Sequence, residues 1–145
     1  MKRNRVRIIG GIWRSRLITF PSREDLRPTP DRARETLFNW LGQELTGMTC
    51  LDLFAGSGAL GLEAASRGAK RVVMVERDAA AFQALEASCA QLGASAVEPI
   101  RADALEFIRR DAGRYDIIFL DPPFRADYWA QLLTLLPPHM TPGAV

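Results

Sequence analysis

The rhythm of hydrophobic and polar positions changes once along this chain, near residue 47. Before that point two short stretches alternate, Val6–Ile9 and Arg16–Phe20. They are joined through Gly10-Gly11, and together they predict a small β-hairpin. A loop rich in proline and charge runs from Pro21 to Pro30. A helix is then predicted over Asp31–Glu44, with Ala33, Leu37, Phe38, Trp40 and Leu41 as its apolar stripe.

From Thr49 onward the pattern becomes strand and helix in alternation. The strands are predicted at Thr49–Phe54, Arg71–Glu76, Val97–Arg101 and Tyr115–Leu120. The helices fall at Ala59–Arg67, Ala79–Leu92, Ala104–Arg110 and Asp127–Leu136. Runs such as Val72-Val73-Met74-Val75 and Ile117-Ile118-Phe119-Leu120 are apolar without alternation, so these strands are buried on both faces. A parallel sheet covered by helices on each side follows, which is the doubly wound, Rossmann-like α/β class. The expected organisation is an N-terminal hairpin and helix over 1–46 and an α/β core over 47–145.

Composition changes little in this picture. A chain of 145 residues with 48% hydrophobic and 25% charged content is one soluble globular domain's worth. No apolar run approaches the roughly 20 residues of a membrane span. The basic start is followed by alternation and more arginine, unlike a secretory leader. Cys50 and Cys89 show no metal-ligand spacing and are expected as reduced thiols of a cytoplasmic protein without a metal.

Charge changes more. Residues 1–23 carry seven basic side chains and no acidic one, whereas residues 37–145 carry nine basic against thirteen acidic. A basic arm on a mildly acidic body suits a polyanion bound at one end, although a merely solvated terminus has the same composition.

The chemistry concentrates in two places. Asp52-Leu53-Phe54-Ala55-Gly56-Ser57-Gly58-Ala59-Leu60-Gly61 leads from a strand into a helix, and its glycines allow a ligand to lie against the backbone. Glu76 falls at the end of the next strand, where a carboxylate can grip ribose hydroxyls. The spacing also fits a dinucleotide loop, so a dehydrogenase is a rival reading. Asp52 argues against it, because a carboxylate there repels a pyrophosphate and attracts a cation. Asp103, past the third strand, is placed either to accept from an adenine amine or to cap a helix. Three acids at neighbouring strand ends form a cradle for a cationic nucleoside, and S-adenosylmethionine is the cofactor that this implies.

The second place is Asp121-Pro122-Pro123-Phe124, directly after an apolar strand. Two prolines stop the ladder and stiffen a turn at the sheet's ligand-binding end. The Asp121 carboxylate and the Pro122 carbonyl then offer two acceptors to an exocyclic –NH2, and Phe124 offers a face for a flat base. Orienting the amine toward an electrophile supplies much of such a rate. Asp121 is read here as orienter and electrostatic stabiliser rather than obligate base.

With these residues in view, the chain closely resembles the bacterial rRNA small-subunit methyltransferase D (RsmD) family. The resemblance rests on Arg7-Ile8-Ile9-Gly10-Gly11, Trp13-Arg14, the run Leu26–Leu41, the Asp52–Gly61 loop and Asp121–Phe124. It implies S-adenosylmethionine-dependent methylation of a guanine N2 in small-subunit rRNA, within a partly assembled subunit that includes ribosomal proteins. Asp52, Phe54, Gly56, Gly58, Glu76, Asp103 and Ala104, with Arg27 and Thr29 from a lid segment, are the implied cofactor contacts. Asp121, Pro122, Pro123 and Phe124 are the implied target-base motif. Arg7, Trp13, Arg14, Arg16, Arg32 and Arg34 are the implied RNA contacts. Read from the residues alone, Trp13 fits core packing equally well, and Arg32, Arg34 and Thr36 fit an exposed helix face. The family's sheet has seven strands, and this chain is expected to stop after its fourth, leaving Ile117–Leu120 as an exposed apolar edge. His139 is expected to be solvated and without a role. Two rivals share the motifs: a DNA adenine-N6 methyltransferase, and an rRNA-binding assembly fragment without catalysis.

Overall fold

In the computed structural model, which describes residues 3–21, 31–121 and 126–145, the chain begins with two strands, β1 (Arg3–Arg7) and β2 (Leu17–Pro21). A helix follows, α1 (Asp31–Leu41), and then an alternating series: β3 (Thr49–Asp52), α2 (Ala59–Ser66), β4 (Arg71–Glu76), α3 (Ala79–Leu92) and β5 (Val97–Arg101). The series closes with α4 (Ala104–Arg110), β6 (Ile117–Phe119) and α5 (Ala126–Leu135). The last four strands form a parallel sheet in the order β5-β4-β3-β6, and β1 pairs with β2 as an antiparallel hairpin. The chain builds outward from β3 to β5 and then returns to place β6 on the other side of β3. The reversal leaves a crevice beyond the strands' carboxyl ends, between β3 and β6.

The unbroken apolar runs are explained by the two faces of this sheet. Cys50, Val72, Met74, Ile117 and Phe119 join one core with residues of the hairpin, α1, α2 and α3. Leu51, Leu53, Val73 and Val75 join the other with Ala104, Ile108 and Leu132. Each face takes every second residue, and burial of each large side chain stabilises by roughly 1.5–3 kcal/mol. In the hairpin only one face is covered. Val6, Ile8, Ile18 and Phe20 point inward, while Arg5, Arg7 and Leu17 remain exposed. Residues on both sides of position 47 thus enter a single core.

β4, β5, α3 and α4 coincide with their predicted ranges. Three expectations need correction. The core-facing stripe of α1 takes Leu37, Phe38 and Leu41 as expected and Arg34 besides, whereas Trp40 is 73% exposed and Ala33 also faces outward. A count of apolar residues misses that a fully buried arginine occupies the first position of this stripe. Next, the edge of β6 is not bare. Met140 bridges Tyr115 in parallel, Val145 N donates to Asp116 O at 2.9 Å, and Ile118 N donates to Val145 O at 2.9 Å. The Asp116 carboxylate secures this segment, accepting from Thr49 N and from Thr141 Oγ1, each at 2.8 Å, and both bonds hold its carboxyl below the usual range. Lastly, His139 is buried rather than solvated, with Nδ1 3.0 Å from Gly113 O.

Candidate active site

The site is built where β3, β4, β5 and β6 end. β3 delivers Asp52 to the crevice, and the chain turns through a loop into α2, with Gly58 at φ 88°. That left-handed conformation strains any residue with a Cβ, and a Cβ at Gly58 would also lie 2.7 Å from Leu85 Cδ1. Asp52 is 1% exposed, and its Oδ2 accepts from Gly61 N at 3.1 Å. Its Oδ1 is buried with no hydrogen-bond partner among the described residues. Burial pushes the Asp52 carboxyl up to about 7; the charges of Asp121 and Glu76 add to the rise, and the Gly61 and Phe54 N–H groups oppose it. A buried acceptor without a donor is costly, and it marks a place where a ligand's donor or cation would be welcome.

Glu76, at the end of β4, shapes the loop itself. Oε1 accepts from Gly56 N at 2.9 Å and Oε2 from Asp78 N at 2.8 Å. Each oxygen keeps a further lone pair for a ligand hydroxyl. Phe54 sits half-buried against the second core. Beyond β5, Asp103 caps α4, with Oδ2 accepting from Leu105 N at 3.1 Å and Glu106 N at 3.2 Å. The capping role foreseen as one of two readings is therefore present, and Asp103→Ala should cost about 1 kcal/mol of stability, measurable by denaturant unfolding. The Ala104 methyl is buried in the core, so only its main chain is left for a ligand.

Asp121 completes the group. β3 and β6 are in register with Asp52 opposite Phe119, and Asp121 lies two residues further, exposed. Its charge acts on Asp52, as noted above. Pro122, Pro123 and Phe124, with Arg27 and Thr29, lie outside the described residues.

The residues expected to face RNA divide. Arg7, Arg14, Arg16 and Arg32 are exposed, as is Arg5, and the Arg16 guanidinium donates to Gln91 O at 3.4 Å. Trp13 and Arg34 are buried, at 9% and 0% exposure: for Trp13 this is the core-packing reading of the two, and for Arg34 it corrects the expectation of an exposed position. Trp13 belongs to the first core. Arg34 Nη1 donates to Arg7 O at 2.9 Å and to Glu63 Oε1 at 3.3 Å, and Arg34 Nη2 pairs with Asp31.

Sequence reasoning missed Glu63, Ser66 and Arg67. Glu63 is fully buried, and Arg67 Nε donates to its Oε2 at 3.0 Å. Arg67 also lies over the Phe38 ring, 4.8 Å from its centroid. A signal existed: Glu63 is the one charged residue in α2, with Arg67 four positions on.

Residues 6–144 match the family model described as "Conserved hypothetical protein 95". The chain is 45% identical over 131 residues to ribosomal RNA small subunit methyltransferase D of Escherichia coli (strain K12), covering 90% of this chain and 66% of that protein. It is 43% identical over 135 residues to the protein of the same name from Haemophilus influenzae, covering 90% of this chain and 70% of the relative. The chain thus spans just under two thirds of the length of the E. coli relative. Among solved structures, yhhF from Escherichia coli superposes with a TM-score of 0.86 at 41% identity, covering 94% of this chain and 74% of that one.

Proposed function

This chain belongs to the ribosomal RNA small-subunit methyltransferase D family, and from that premise we propose that it transfers a methyl group from S-adenosylmethionine to the N2 amine of a guanine in small-subunit rRNA. One observation carries the reading. A buried carboxylate oxygen of Asp52, without a hydrogen-bond partner among the described residues, stands at the crevice between β3 and β6, with Glu76, Asp103 and Asp121 at the neighbouring strand ends.

The residues fit the cofactor. Asp52 offers an acceptor to a cation, and Glu76 offers free lone pairs to ribose hydroxyls beside the backbone of Gly56 and Gly58. Asp103 and the main chain of Ala104 stand at the next strand end for an adenine, and Phe54, Arg27 and Thr29 complete the proposed contacts. When bound, S-adenosylmethionine supplies a methyl group on a sulfonium, with a neutral thioether as leaving group. Asp121 and the Pro122 carbonyl orient the amine, and Pro123 and Phe124 frame the base. The exposed Arg7, Arg14, Arg16 and Arg32 meet phosphates. Such a substrate implies a cytoplasmic site of action on a partly assembled subunit, in the company of ribosomal proteins.

The Asp52 carboxyl gives this reading a pH signature. Its folded value of about 7 stands above the ordinary 3.8, so the folded chain holds a proton that the unfolded chain releases between those values. Its contribution to stability is therefore greatest at low pH and is lost as pH rises through that window. Binding of a cation reverses the preference and expels the proton. Affinity for S-adenosylmethionine should rise about tenfold between about pH 6 and about pH 8, with close to one proton released near pH 6. Calorimetry in two buffers of different ionisation enthalpy measures this, and Asp52→Asn should flatten it. A flat profile in the unaltered chain would remove Asp52 from the cofactor site.

The activity test uses labelled S-adenosylmethionine with small ribosomal subunits that lack the modification, followed by mass mapping of the RNA. Incorporation at one guanine N2 is the expected result. Label in duplex DNA instead would select an adenine methyltransferase, and RNA binding without cofactor affinity would select the assembly fragment.

A further inference from the structure

The loop between the hairpin strands, residues 8–16, is fastened to α2 through its main chain. Glu63 uses both oxygens: Oε1 accepts from Ile9 N and Oε2 from Gly10 N, each at 2.9 Å. One turn further along, Ser66 O accepts from Ile12 N at 2.8 Å, while Ser66 Oγ accepts from Trp13 N at 3.0 Å and donates to Gly10 O at 2.6 Å. Gly11 permits this approach, since at φ 79° a Cβ would stand 1.9 Å from Ser66 O. The Glu63 carboxylate also binds Arg34 of α1 and Arg67 at the end of α2. One carboxylate therefore ties together the hairpin loop, α1 and α2.

Stability alone does not call for such a group, because apolar packing of similar volume often serves as well as a buried ion pair. What charged, directional bonds add is a fixed orientation. On the outer side of the fastened segment stand Arg5, Arg7, Arg14 and Arg16, exposed and without an acidic partner among the described residues. α2, only eight residues long, springs from the glycine loop at its other end. The loop that carries Arg14 and the methyl-donor loop are thus both attached to one short helix, while β2 of the hairpin packs on α3.

Resting on the RNA reading above, we propose that Glu63 is a positioning residue for the RNA substrate. It touches neither RNA nor cofactor, but it sets where the hairpin's arginines stand relative to the site of methyl transfer. The motif Ile9-Gly10-Gly11 followed by Trp13 is then a fastening for the RNA-binding face rather than part of that face.

The test compares Glu63→Gln and Ser66→Ala with the unaltered chain. Amide hydrogen exchange at Ile9, Gly10, Ile12 and Trp13 reads whether the fastening has opened. Affinity and KM are measured with unmodified small ribosomal subunits, and cofactor affinity with S-adenosylmethionine by calorimetry. Exchange should quicken at Ile9 and Gly10 in the first variant and at Trp13 in the second. KM for subunits should rise about tenfold, while kcat at saturating subunits and cofactor affinity stay within about threefold. Arg14→Ala should raise KM without quickening exchange. Opened amides with an unchanged KM would overturn the proposal, as would unchanged exchange in both variants. If Glu63→Gln fails to fold, Ser66→Ala carries the test, because it leaves the ion cluster intact. An unaltered chain that does not bind subunits at all would fail the RNA reading itself, a result distinct from either of these.

Discussion

Asp121→Ala is expected to lower methyl transfer about 10²–10³-fold while affinity for S-adenosylmethionine stays within a few-fold. The separation follows from where Asp121 stands. It is exposed, beyond the end of β6, and contributes to neither core, so its loss should leave the fold intact. Asp121→Asn discriminates between two roles. If the side chain orients the amine, the amide's oxygen retains part of that function and the loss should be smaller than for alanine. If it is an obligate proton acceptor, both variants should fall equally. Single-turnover rates with small ribosomal subunits measure the difference. A secondary effect checks the geometry: without the Asp121 charge, Asp52 should titrate lower, moving the pH dependence of cofactor binding to more acidic values. A variant with full activity would remove Asp121 from the site.

Arg34→Ala should destabilise the chain by about 3–5 kcal/mol, because it leaves a buried carboxylate short of a partner. Arg34 is 0% exposed and links Asp31, Glu63 and the Arg7 carbonyl across three elements. Arg32→Ala, two residues away on an exposed position, should change stability by no more than about 0.5 kcal/mol and should instead weaken RNA binding. Denaturant unfolding of the two variants gives the comparison. The pair separates a structural guanidinium from an RNA-facing one. Equal stability of both variants, with RNA affinity reduced in both, would restore Arg34 to the RNA surface.

Arg34 also shows where sequence reading ran out. Elements declared by local chemistry were legible. Long apolar runs marked β4 and β6, Asp78 and Asp103 begin helices as capping residues do, and Gly93 ends one. The placing of the acids was legible too, because Asp52, Glu76, Asp103 and Asp121 each stand at or just past the end of a strand that the sequence predicts. What stayed hidden depended on partners distant in sequence. Glu63 meets Ile9 and Gly10 across more than fifty residues, and no local pattern states that an arginine of α1 belongs with them. For Trp13 the sequence left core packing and RNA contact level, and the burial is decided by its setting beside α2. The first hairpin strand was placed late, at Val6–Ile9 rather than Arg3–Arg7, because the apolar Ile8-Ile9 pair extends the strand pattern into residues that fold as a loop bound to Ser66.

The pairing of residues 139–145 along β6 has a bearing on how the chain behaves in company. An open ladder on an apolar strand is a template that a second molecule can join, and repeated joining leads to fibrous assemblies. With Tyr115, Asp116 and Ile118 already hydrogen-bonded to that segment, β6 offers fewer free donors and acceptors to a neighbour. Colloidal behaviour of the chain therefore rests in part on a short run of Met140, Thr141 and Val145, residues remote from any chemistry.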